Sequence, residues 1–475
     1  MASFAWNSHR HLELYFGVPC YGAVLHTVNI RYGKQEIVHT INHAEDKVIF
    51  CDKDLLPIIE EVAHQLPKVK AYVVLDEALP ETALSPVFCY EDLLDSVDPF
   101  FRFEEIDENA PATMCYTSAT TGLPKGVVYS HRSIYLHSSI LCHADVTAIS
   151  EYDNILPIVP MFHVNAWGIP YAAIATGAKL VLPGTHPKAE DFLKLIDSED
   201  ITFAAGAVTV GIDMLNILEQ QSYDLSSLRL LMLGGQATPK TVIEKYFYKH
   251  GVQVAQGYGA TETSPLVTFL HFKRDQRGLS DDEKIHIRSR QGIVVPGIEM
   301  KVVDELGEPI PWDDNHMGEI LLRGPWVATQ YYNDERSKDS FVDGWWKSGD
   351  IASVNEQGMI RIVDRSKDVI KSGGEWISSV LLENELMAHP AVSEACVVAV
   401  SHEKWMERPL AYVVLKKEQS DPISKEELVE WLKQKFPKWW LPDHFIILDE
   451  IPKNANGKFN KRLLREMAHS MLKGN

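Results

Sequence analysis

The stretch Cys115 to Ser133 reads CYTSATTGLPKGVVYSHRS and places hydroxyls, glycines and a lysine in one loop. An apolar run, ATMCY, leads into it from Ala112. Backbone amides and hydroxyls exposed at such a turn can surround phosphate oxygens, and a lysine adds a positive charge. The stretch therefore predicts a phosphate-binding loop after a buried strand, with an ordinary Ser/Thr/Gly turn as the open alternative.

Two common nucleotide-binding templates do not fit the chain. A Walker A loop needs a lysine directly after its second glycine, but Gly122 is followed by Leu-Pro-Lys-Gly. A dinucleotide fingerprint needs a third glycine, and in GYGATE from Gly257 that place is taken by Glu262. The sequence therefore disfavours both a P-loop ATPase and a Rossmann dehydrogenase.

Composition limits the class of protein. The chain has 475 residues, 45% of them apolar, and a formal net charge of -20. This length predicts roughly two to four domains. The acidic balance disfavours nucleic acid and anionic membranes as partners. Six cysteines without a CxxC pair indicate neither a zinc site nor a disulfide framework, which favours the reducing cytoplasm.

The most membrane-like segment is Val164 to Ala178, VNAWGIPYAAIATGA. It contains Asn165 and Pro170, and it is shorter than the roughly 20 apolar residues that span a bilayer. We therefore expect a buried core helix here and no membrane span.

Short apolar runs such as AYVVLD alternate with helical stretches such as Ala189 to Ser198, which predicts an α/β fold with mostly parallel sheets. We expect a large N-terminal domain of layered α/β sheets over 1–364, including a small β-rich subdomain over about 292–364. A small mobile α+β C-terminal domain should follow over 365–475. The charged segment 273–291 is predicted to be a solvated helix and loop.

The string YTSATTGLPKG resembles YTSGTTGxPKG, the signature of the adenylate-forming (AMP-binding) superfamily of acyl-CoA synthetases, luciferases and peptide-synthetase adenylation domains. Within it, HVNAWG, the tryptophan of SGGEWIS and ERPLA are similar to medium- and long-chain fatty acyl-CoA synthetases. Further motifs follow in the expected order: MFHVNAWG from Met161, GGQATP from Gly234, QGYGATET from Gln256, KSGD from Lys347, DRSKDVIKSGGEWIS from Asp364 and NANGKFNKR from Asn454.

This resemblance implies a fatty acid–CoA ligase that uses ATP, Mg²⁺ and coenzyme A, the last as a substrate. The carboxylate and ATP would give an acyl-adenylate and pyrophosphate, and the coenzyme A thiol would then displace AMP. Glu262 and Ser118 would bind Mg²⁺, because a hard cation prefers oxygen ligands. Thr261 would contact the α-phosphate, and the loop would hold the other phosphates through Thr117, Ser118, Thr120, Thr121, Gly122 and Lys125.

The resemblance also assigns the adenosine site. Asp350 would accept hydrogen bonds from the ribose hydroxyls, and Tyr258 would stack on the base. Small residues would let the backbone approach the ring. The remaining nucleotide contacts would come from Gly235, Gln236, Gln256, Gly257, Arg365, Lys367, Lys371 and Trp376.

Lys458 would be the adenylation lysine, carried by the glycine-flanked loop NANGKF. A hinge at 364–368 would rotate the small domain between the two half-reactions. Gly373 and Gly374 would then line the coenzyme A channel, and Trp376 would gate the acyl tunnel. The acyl pocket itself would include His163, Val164 and Trp167, with Gly257 and Trp376. Nothing acidic in HVNAWG would pair with an amino group, which disfavours amino-acid substrates.

Two departures from the family pattern leave alternatives open. Ala119 stands where relatives usually have glycine, and the chain begins at a segment that some sixty residues normally precede. The alternatives are a ligase for another carboxylate, such as an aromatic acid, or an inactive nucleotide- or lipid-binding relative. The expected partners are the small-molecule substrates, with a homodimer as an assembly to test.

Overall fold

The computed structural model describes residues 1–117, 122–373, 375–416, 423–453 and 459–473. By its internal contacts the chain divides into two compact units. One unit comprises Met1–Met300 and Leu322–Trp346, and the other comprises Lys301–Leu321 and Lys347–Asn475. The domain boundary at 364 and the hinge at 364–368 stay predictions.

The first sheet has the strand order β5-β4-β3-β1-β2-β6-β7. Its strands pair in parallel except for the antiparallel β6–β7 hairpin. The strands are β1 (Ala2–Phe4), β2 (Leu25–Thr27), β3 (Val48–Cys51), β4 (Ala71–Val74), β5 (Val87–Cys89), β6 (Pro111–Tyr116) and β7 (Gly126–Ser130). The accompanying helices are α1 (His9–Cys20), α2 (Lys34–His43), α3 (Leu56–Val62), α4 (Tyr90–Asp95) and α5 (His131–Leu141).

The second sheet has the order β14-β13-β12-β11-β10-β8-β9, parallel from β9 to β12 and antiparallel beyond. Its strands are β8 (Asn154–Pro157), β9 (Lys179–Leu180), β10 (Phe203–Ala207), β11 (Leu230–Gly234), β12 (Val254–Gly259), β13 (Leu266–Phe269) and β14 (Ile293–Val294). Its helices are α6 (Ile169–Thr176), α7 (Ala189–Ser198), α8 (Val208–Leu218), α9 (Lys240–His250) and α10 (Asp281–Arg288).

A third sheet has the order β15-β16-β18-β17, with β19 also on β18. A fourth has the order β21-β20-β23-β22, with β24 parallel to β23. Their strands are β15 (Glu299–Val303), β16 (Gly318–Arg323), β17 (Phe341–Val342), β18 (Trp345–Val354), β19 (Ile360–Arg365), β20 (Ile370–Ser372), β21 (Glu375–Ile377), β22 (Val392–His402), β23 (Met406–Leu415) and β24 (His444–Ile447). The helices are α11 (Ser337–Ser340), α12 (Ser379–Ala388), α13 (Lys425–Lys433) and α14 (Lys461–Lys473).

The first, second and fourth sheets each bury an apolar cluster, and this burial fixes the register of their strands. In the second sheet Leu231, Leu233 and Val254 pack against Tyr246 of α9 and Ile196 of α7. Strands with both faces covered by helices read as continuous apolar runs, as LRLLMLGG does around β11. The predicted α/β class is confirmed.

Two local predictions were correct only in part: a buried helix, α6, lies within 164–178, and a mostly exposed helix, α10, lies within 273–291. The segment 164–178 is not one helix, because Val164–Gly168 form a left-handed turn before α6 begins at Ile169. The charged segment 273–291 is not wholly solvated. Arg288 is buried, and its guanidinium donates to the Val254 carbonyl at 2.8 Å and to Gln253 Oε1 at 2.6 Å. Among the described residues, no helix has the length and apolar character needed to cross a bilayer.

Candidate active site

The β6–β7 hairpin positions the predicted phosphate loop. Its last strand pair joins Tyr116 to Gly126. Two hydrogen bonds close the loop beyond that pair: the Thr117 amide donates to the Lys125 carbonyl at 2.9 Å, and the Lys125 amide donates to Thr117 Oγ1 at 3.2 Å. Thr117 therefore holds the base of the loop. Ser118, Ala119, Thr120 and Thr121 lie outside the described residues.

Gly122 lies where the chain turns back towards β7. Its φ is +79°, a conformation that glycine adopts without steric cost. Arg336 supports this turn, because its Nη1 donates to the Leu123 carbonyl at 3.0 Å. The Asp334 carboxylate holds the guanidinium in turn, and this hydrogen bond lowers the pKa of Asp334. An ion pair between Arg336 and Asp334 thus supports the turn at Gly122 and Leu123.

Tyr331 joins the loop lysine to the predicted metal carboxylate. The Lys125 ammonium lies 3.8 Å from the centre of the Tyr331 ring, and Tyr331 Oη donates to Glu262 Oε1 at 2.7 Å. Both Tyr331 and Glu262 are buried. Burial and the neighbouring carboxylate raise the pKa of Tyr331, so its hydroxyl stays a donor. The Tyr331 side chain thereby connects Lys125 with Glu262.

The segment after β12 turns sharply to present Thr261 and Glu262. A register shift at Tyr258 and Gly259 interrupts the β12–β13 pairing. The Thr261 carbonyl accepts from Tyr129 Oη at 2.6 Å, and the Glu262 carbonyl accepts from the Ala328 amide at 2.7 Å. These two hydrogen bonds fix the backbone of Thr261 and Glu262, and with it the position of their side chains.

Gly259 allows this turn, because a Cβ there would lie 2.0 Å from the Pro265 carbonyl oxygen. We expect Gly259→Ala to destabilise the protein by about 3 kcal/mol, at the upper end of overpacking costs. Urea unfolding would measure this loss. Gly278→Ala is the control, because no atom lies within 4 Å of a Cβ at Gly278. A cost at Gly259 no larger than at Gly278 would contradict this account.

The predicted adenosine contacts fall into two groups. Gly235 and Gln236 are exposed after β11, and Tyr258 is half-buried. Gln256 is buried instead: its Oε1 accepts from the Thr238 amide at 2.8 Å, and its Nε2 donates to the Arg288 carbonyl at 2.9 Å. In this arrangement Gln256 holds the GGQATP segment against α10. A contact between Gln256 and the base stays a prediction.

The predicted acyl-pocket residues lie on the left-handed turn. Val164, Asn165, Ala166 and Trp167 all have φ between 47° and 57°. Such backbone costs about 1–2 kcal/mol per residue and persists only where surrounding contacts impose it. Asn165 supplies one such contact, because its Nδ2 donates to Thr113 Oγ1 at 2.8 Å.

Trp167 points from this turn towards β11. A Cβ on Gly234 would lie 3.0 Å from Trp167 Cη2, so the glycine makes room for the indole. His163, directly before the turn, is half-buried, whereas Val164 is buried. The turn therefore brings an indole to the carboxyl end of a parallel strand, where ligands bind in open α/β sheets.

His137 supports the same turn from α5. A Cβ on Gly168 would lie 2.6 Å from His137 Nδ1, and His137 Nε2 accepts from the Leu266 amide at 3.1 Å. Burial lowers the pKa of His137 to about 3, so the ring is neutral and can accept.

Because the unfolded chain protonates this histidine near pH 6.5 and the folded protein does so only near pH 3, stability is lost as pH falls between these values. From pH 7 to pH 5 we expect the unfolding free energy of the wild type to fall about 2 kcal/mol further than that of His137→Gln. Urea unfolding at both pH values would measure this difference. Equal losses would contradict a neutral buried His137.

In the second unit, the buried Asp350 forms an ion pair with the exposed Arg365. They face each other across β18 and β19, with Arg365 Nε 2.8 Å from Asp350 Oδ1. The Asp350 amide donates to Ser348 Oγ at 3.0 Å, which fixes the KSGD turn. The structure thus brings the predicted ribose carboxylate and a predicted nucleotide arginine together. Lys367 is exposed.

The remaining described candidates lie around β20 and β21. Lys371 and Trp376 face each other across these strands, and the Lys371 ammonium lies 5.7 Å from the Trp376 ring centre. The same ammonium lies 3.0 Å from Glu305 Oε1. Gly373 has a φ of +65°, and a Cβ there would lie 2.8 Å from Trp405 Cε3. Gly374 and Lys458 lie outside the described residues.

Across the described ranges, no group of three His, Cys, Asp or Glu side chains converges in a way that could hold a metal ion. Glu262 is a buried carboxylate that accepts from Tyr331, and the Tyr331 ring in turn contacts Lys125. One carboxylate suits Mg²⁺ that arrives with a triphosphate, because this ion typically takes one or two carboxylates together with substrate phosphates.

Sequence reasoning missed Tyr331, Arg336, His137 and Asn165. Tyr331 is 69 residues from Glu262, and no local pattern connects them. Gly168 was the available signal for His137, because a glycine can mark a place where another group approaches the backbone closely.

The α/β sheets and the hairpin loop with its neighbouring lysine and carboxylate are compatible with an enzyme that binds a nucleotide. The chain belongs to the family of AMP-binding enzymes: the family model for AMP-binding enzymes matches residues 1–332, and that for the AMP-binding enzyme C-terminal domain matches residues 381–458.

Among its relatives are two fatty acid ligases. A long-chain-fatty-acid–CoA ligase of Thermus thermophilus is 48% identical over 98% of this chain and 85% of its own length. A medium-chain-fatty-acid–CoA ligase of Ectopseudomonas oleovorans is 41% identical over the same shares. The crystal structure of an anthranilate CoA ligase in complex with anthranoyl-AMP matches with a TM-score of 0.86 and 25% identity, covering 98% of this chain and 87% of that one.

Proposed function

We propose that this chain is an AMP-forming acid–thiol ligase for medium- or long-chain fatty acids. It joins the fatty carboxylate to ATP, releases pyrophosphate, and passes the acyl group from the adenylate to coenzyme A. Mg²⁺ accompanies ATP. The two fatty acid ligases described above, each aligned over nearly all of this chain, support the substrate class.

The arrangement of Lys125, Tyr331 and Glu262 carries this proposal. Charge builds up on the phosphoryl oxygens when a carboxylate attacks the α-phosphorus, so cationic groups must lie beside the triphosphate. Lys125 supplies a positive charge next to the hairpin loop, and Glu262 supplies an oxygen ligand for the metal. Tyr331 contacts both residues: its ring centre lies 3.8 Å from the Lys125 ammonium, and its Oη lies 2.7 Å from Glu262 Oε1.

The other site residues belong to the same proposal. The phosphate loop comprises Thr117, Ser118, Thr120, Thr121 and Gly122. Thr261 contacts the α-phosphate. Lys458 acts in adenylation, and the hinge at 364–368 turns the small domain between steps. The nucleotide site further comprises Gly235, Gln236, Gln256, Gly257, Tyr258, Asp350, Arg365, Lys367, Lys371 and Trp376, and the coenzyme A channel comprises Gly373 and Gly374.

The acyl chain would lie against the turn that carries His163, Val164 and Trp167, with Gly257 and Trp376 also in contact. Trp167 offers apolar surface beside Gly234, and burial of each methylene contributes about 0.8 kcal/mol. A long saturated chain therefore gains affinity with length until the pocket ends.

We also propose a cytoplasmic location and a homodimer as the assembly to test. All six cysteines are free thiols, and four of them are buried, an arrangement that suits a reducing compartment.

Pyrophosphate release with ATP, Mg²⁺ and a series of saturated fatty acids tests the proposal. We expect release that rises with chain length through the medium-chain range and acyl-CoA formation once coenzyme A is added. Benzoate and anthranilate serve as competing substrates in parallel reactions. Faster release with the aromatic acids would favour the alternative ligase. Retained ATP binding without any release would overturn the proposed activity in favour of an inactive relative.

A further inference from the structure

Helix α14 begins three residues after Lys458 and follows a loop that is tied at its base. An antiparallel bridge pairs Lys453 with Phe459, and the Asn460 amide donates to the Pro452 carbonyl at 2.8 Å. Both described ends of the loop that contains Lys458 are therefore fixed relative to the first turn of α14.

Lys461, whose side chain is only 15% exposed, connects that first turn to Asp364. The Lys461 ammonium lies 2.8 Å from Glu383 Oε1 and donates to Ser379 Oγ at 2.5 Å. The Ser379 amide donates in turn to Asp364 Oδ2 at 2.7 Å. Burial disfavours the Lys461 charge, but the carboxylates of Glu383 and Asp364 outweigh it and raise the pKa of Lys461. Lys461 is thus a charged anchor.

Arg465, one turn further along α14, reaches the other end of the same segment. Its Nη2 donates to the Lys367 carbonyl at 3.2 Å and forms an ion pair with Asp368. The amides of Asp368 and Val369 both donate to the Arg365 carbonyl at 2.8 Å, so the segment forms a tight turn at this point. Asp368 is buried, whereas the Arg465 side chain is partly exposed.

We infer that Arg465 is a positioning residue for adenylation: it clamps α14 to residues 367–368 and thereby fixes Phe459 and Asn460, the described residues directly after Lys458, relative to that segment. This inference rests on the proposed function, in which Lys458 approaches the α-phosphate. Misplacing a reacting group by about 1 Å can cost a hundredfold in rate. Loss of the clamp should therefore slow the step that uses Lys458 and spare the step that does not.

The chain offers a matched control on the same helix. Arg462 is exposed and lies 3.5 Å from Glu466, an i,i+4 pair on the helix surface. Such a pair contributes only about 0.3–0.5 kcal/mol. Arg462→Ala and Arg465→Ala thus remove the same side chain from one helix, but only the second removes a contact to 367–368.

The test compares the two half-reactions in the full-length chain. Adenylation is followed by decanoate-dependent exchange of labelled pyrophosphate into ATP, and thioester formation is followed from supplied decanoyl-AMP and coenzyme A. We expect Arg465→Ala to slow adenylation about tenfold, or about 1.4 kcal/mol in barrier height, with thioester formation within twofold of wild type. Arg462→Ala should change neither rate. Equal slowing of both steps by Arg465→Ala, or no slowing, would overturn the inference.

Hydrogen exchange separates this inference from the proposed function. We expect the amides of Asp368 and Val369 to exchange severalfold faster in Arg465→Ala than in wild type, and at the wild-type rate in Arg462→Ala. A wild-type protein without pyrophosphate exchange would overturn the proposed function. Unchanged protection of Asp368 and Val369 in Arg465→Ala would overturn the clamp, whatever the activity.

Discussion

Lys458→Ala is expected to lose adenylation by about a hundredfold or more, because it removes a preorganised positive charge from the developing phosphoryl charge. Thioester formation from supplied acyl-adenylate should keep most of its rate, since the thiol attacks a carbonyl that is already activated. Pyrophosphate exchange and thioester formation from decanoyl-AMP measure the two steps separately.

Lys453→Ala is the control for this variant. Lys453 lies at the base of the same loop, and its ammonium is 2.5 Å from Glu394 Oε1 in a partly exposed pair. Removing it changes the net charge equally but takes nothing from the proposed phosphate site, so both half-reactions should stay within a fewfold of wild type. Equal loss of both half-reactions in Lys458→Ala would contradict a role confined to adenylation.

The parts of the fold that the sequence could predict are those set by local pattern. Apolar runs such as LRLLMLGG contain β11, and the helix predicted over Ala189–Ser198 is α7 with the same bounds. These elements follow from periodicity, because buried parallel strands and amphipathic helices each leave a regular apolar pattern. The hydroxyl-rich loop likewise follows its predicted strand, β6.

The contacts that build the site could not be predicted in this way. Tyr331 meets Glu262 and Lys125 only after distant segments have packed, so neither its role nor its burial has a local signal. The turn at Val164 escaped prediction for another reason. Residues with side chains rarely adopt positive φ, so the apolar composition indicated a helix where Asn165 and His137 hold a left-handed turn.

The charged segment 273–291 illustrates a third limit. Alternating charge is typical of a solvated helix, and α10 indeed begins with exposed acidic residues. Arg288 nevertheless turns inward, where its donors satisfy the Val254 carbonyl and Gln253. Composition cannot distinguish an arginine whose side chain stays in solvent from one whose guanidinium donates to buried acceptors.

Glu262→Gln is expected to slow adenylation by about a hundredfold, because a neutral amide binds Mg²⁺ poorly while the metal stabilises charge on the transferring phosphoryl group. The fold should survive the change. The glutamine carbonyl can still accept from Tyr331 Oη, and the Glu262 backbone contact to the Ala328 amide is unaffected. Thioester formation from decanoyl-AMP should remain within a fewfold of wild type, and urea unfolding should give a similar free energy.

Tyr331→Phe distinguishes the effect of the Glu262 charge on adenylation from the effect of the position of its carboxylate. The ring under Lys125 is kept, but the buried carboxylate loses the donor that now lies 2.7 Å away, a loss that typically costs about 1–3 kcal/mol. We therefore expect adenylation by Tyr331→Phe to fall about tenfold, partly restored by added Mg²⁺, which pairs with the released carboxylate. Added Mg²⁺ should not restore Glu262→Gln to the same degree, because that variant lacks the charge itself. One outcome would contradict metal binding by Glu262: wild-type adenylation by Glu262→Gln at low Mg²⁺, together with loss of adenylation by Tyr331→Phe. The hydrogen bond between Tyr331 and Glu262 would then stabilise the loop, and the carboxylate charge would not be needed for the metal.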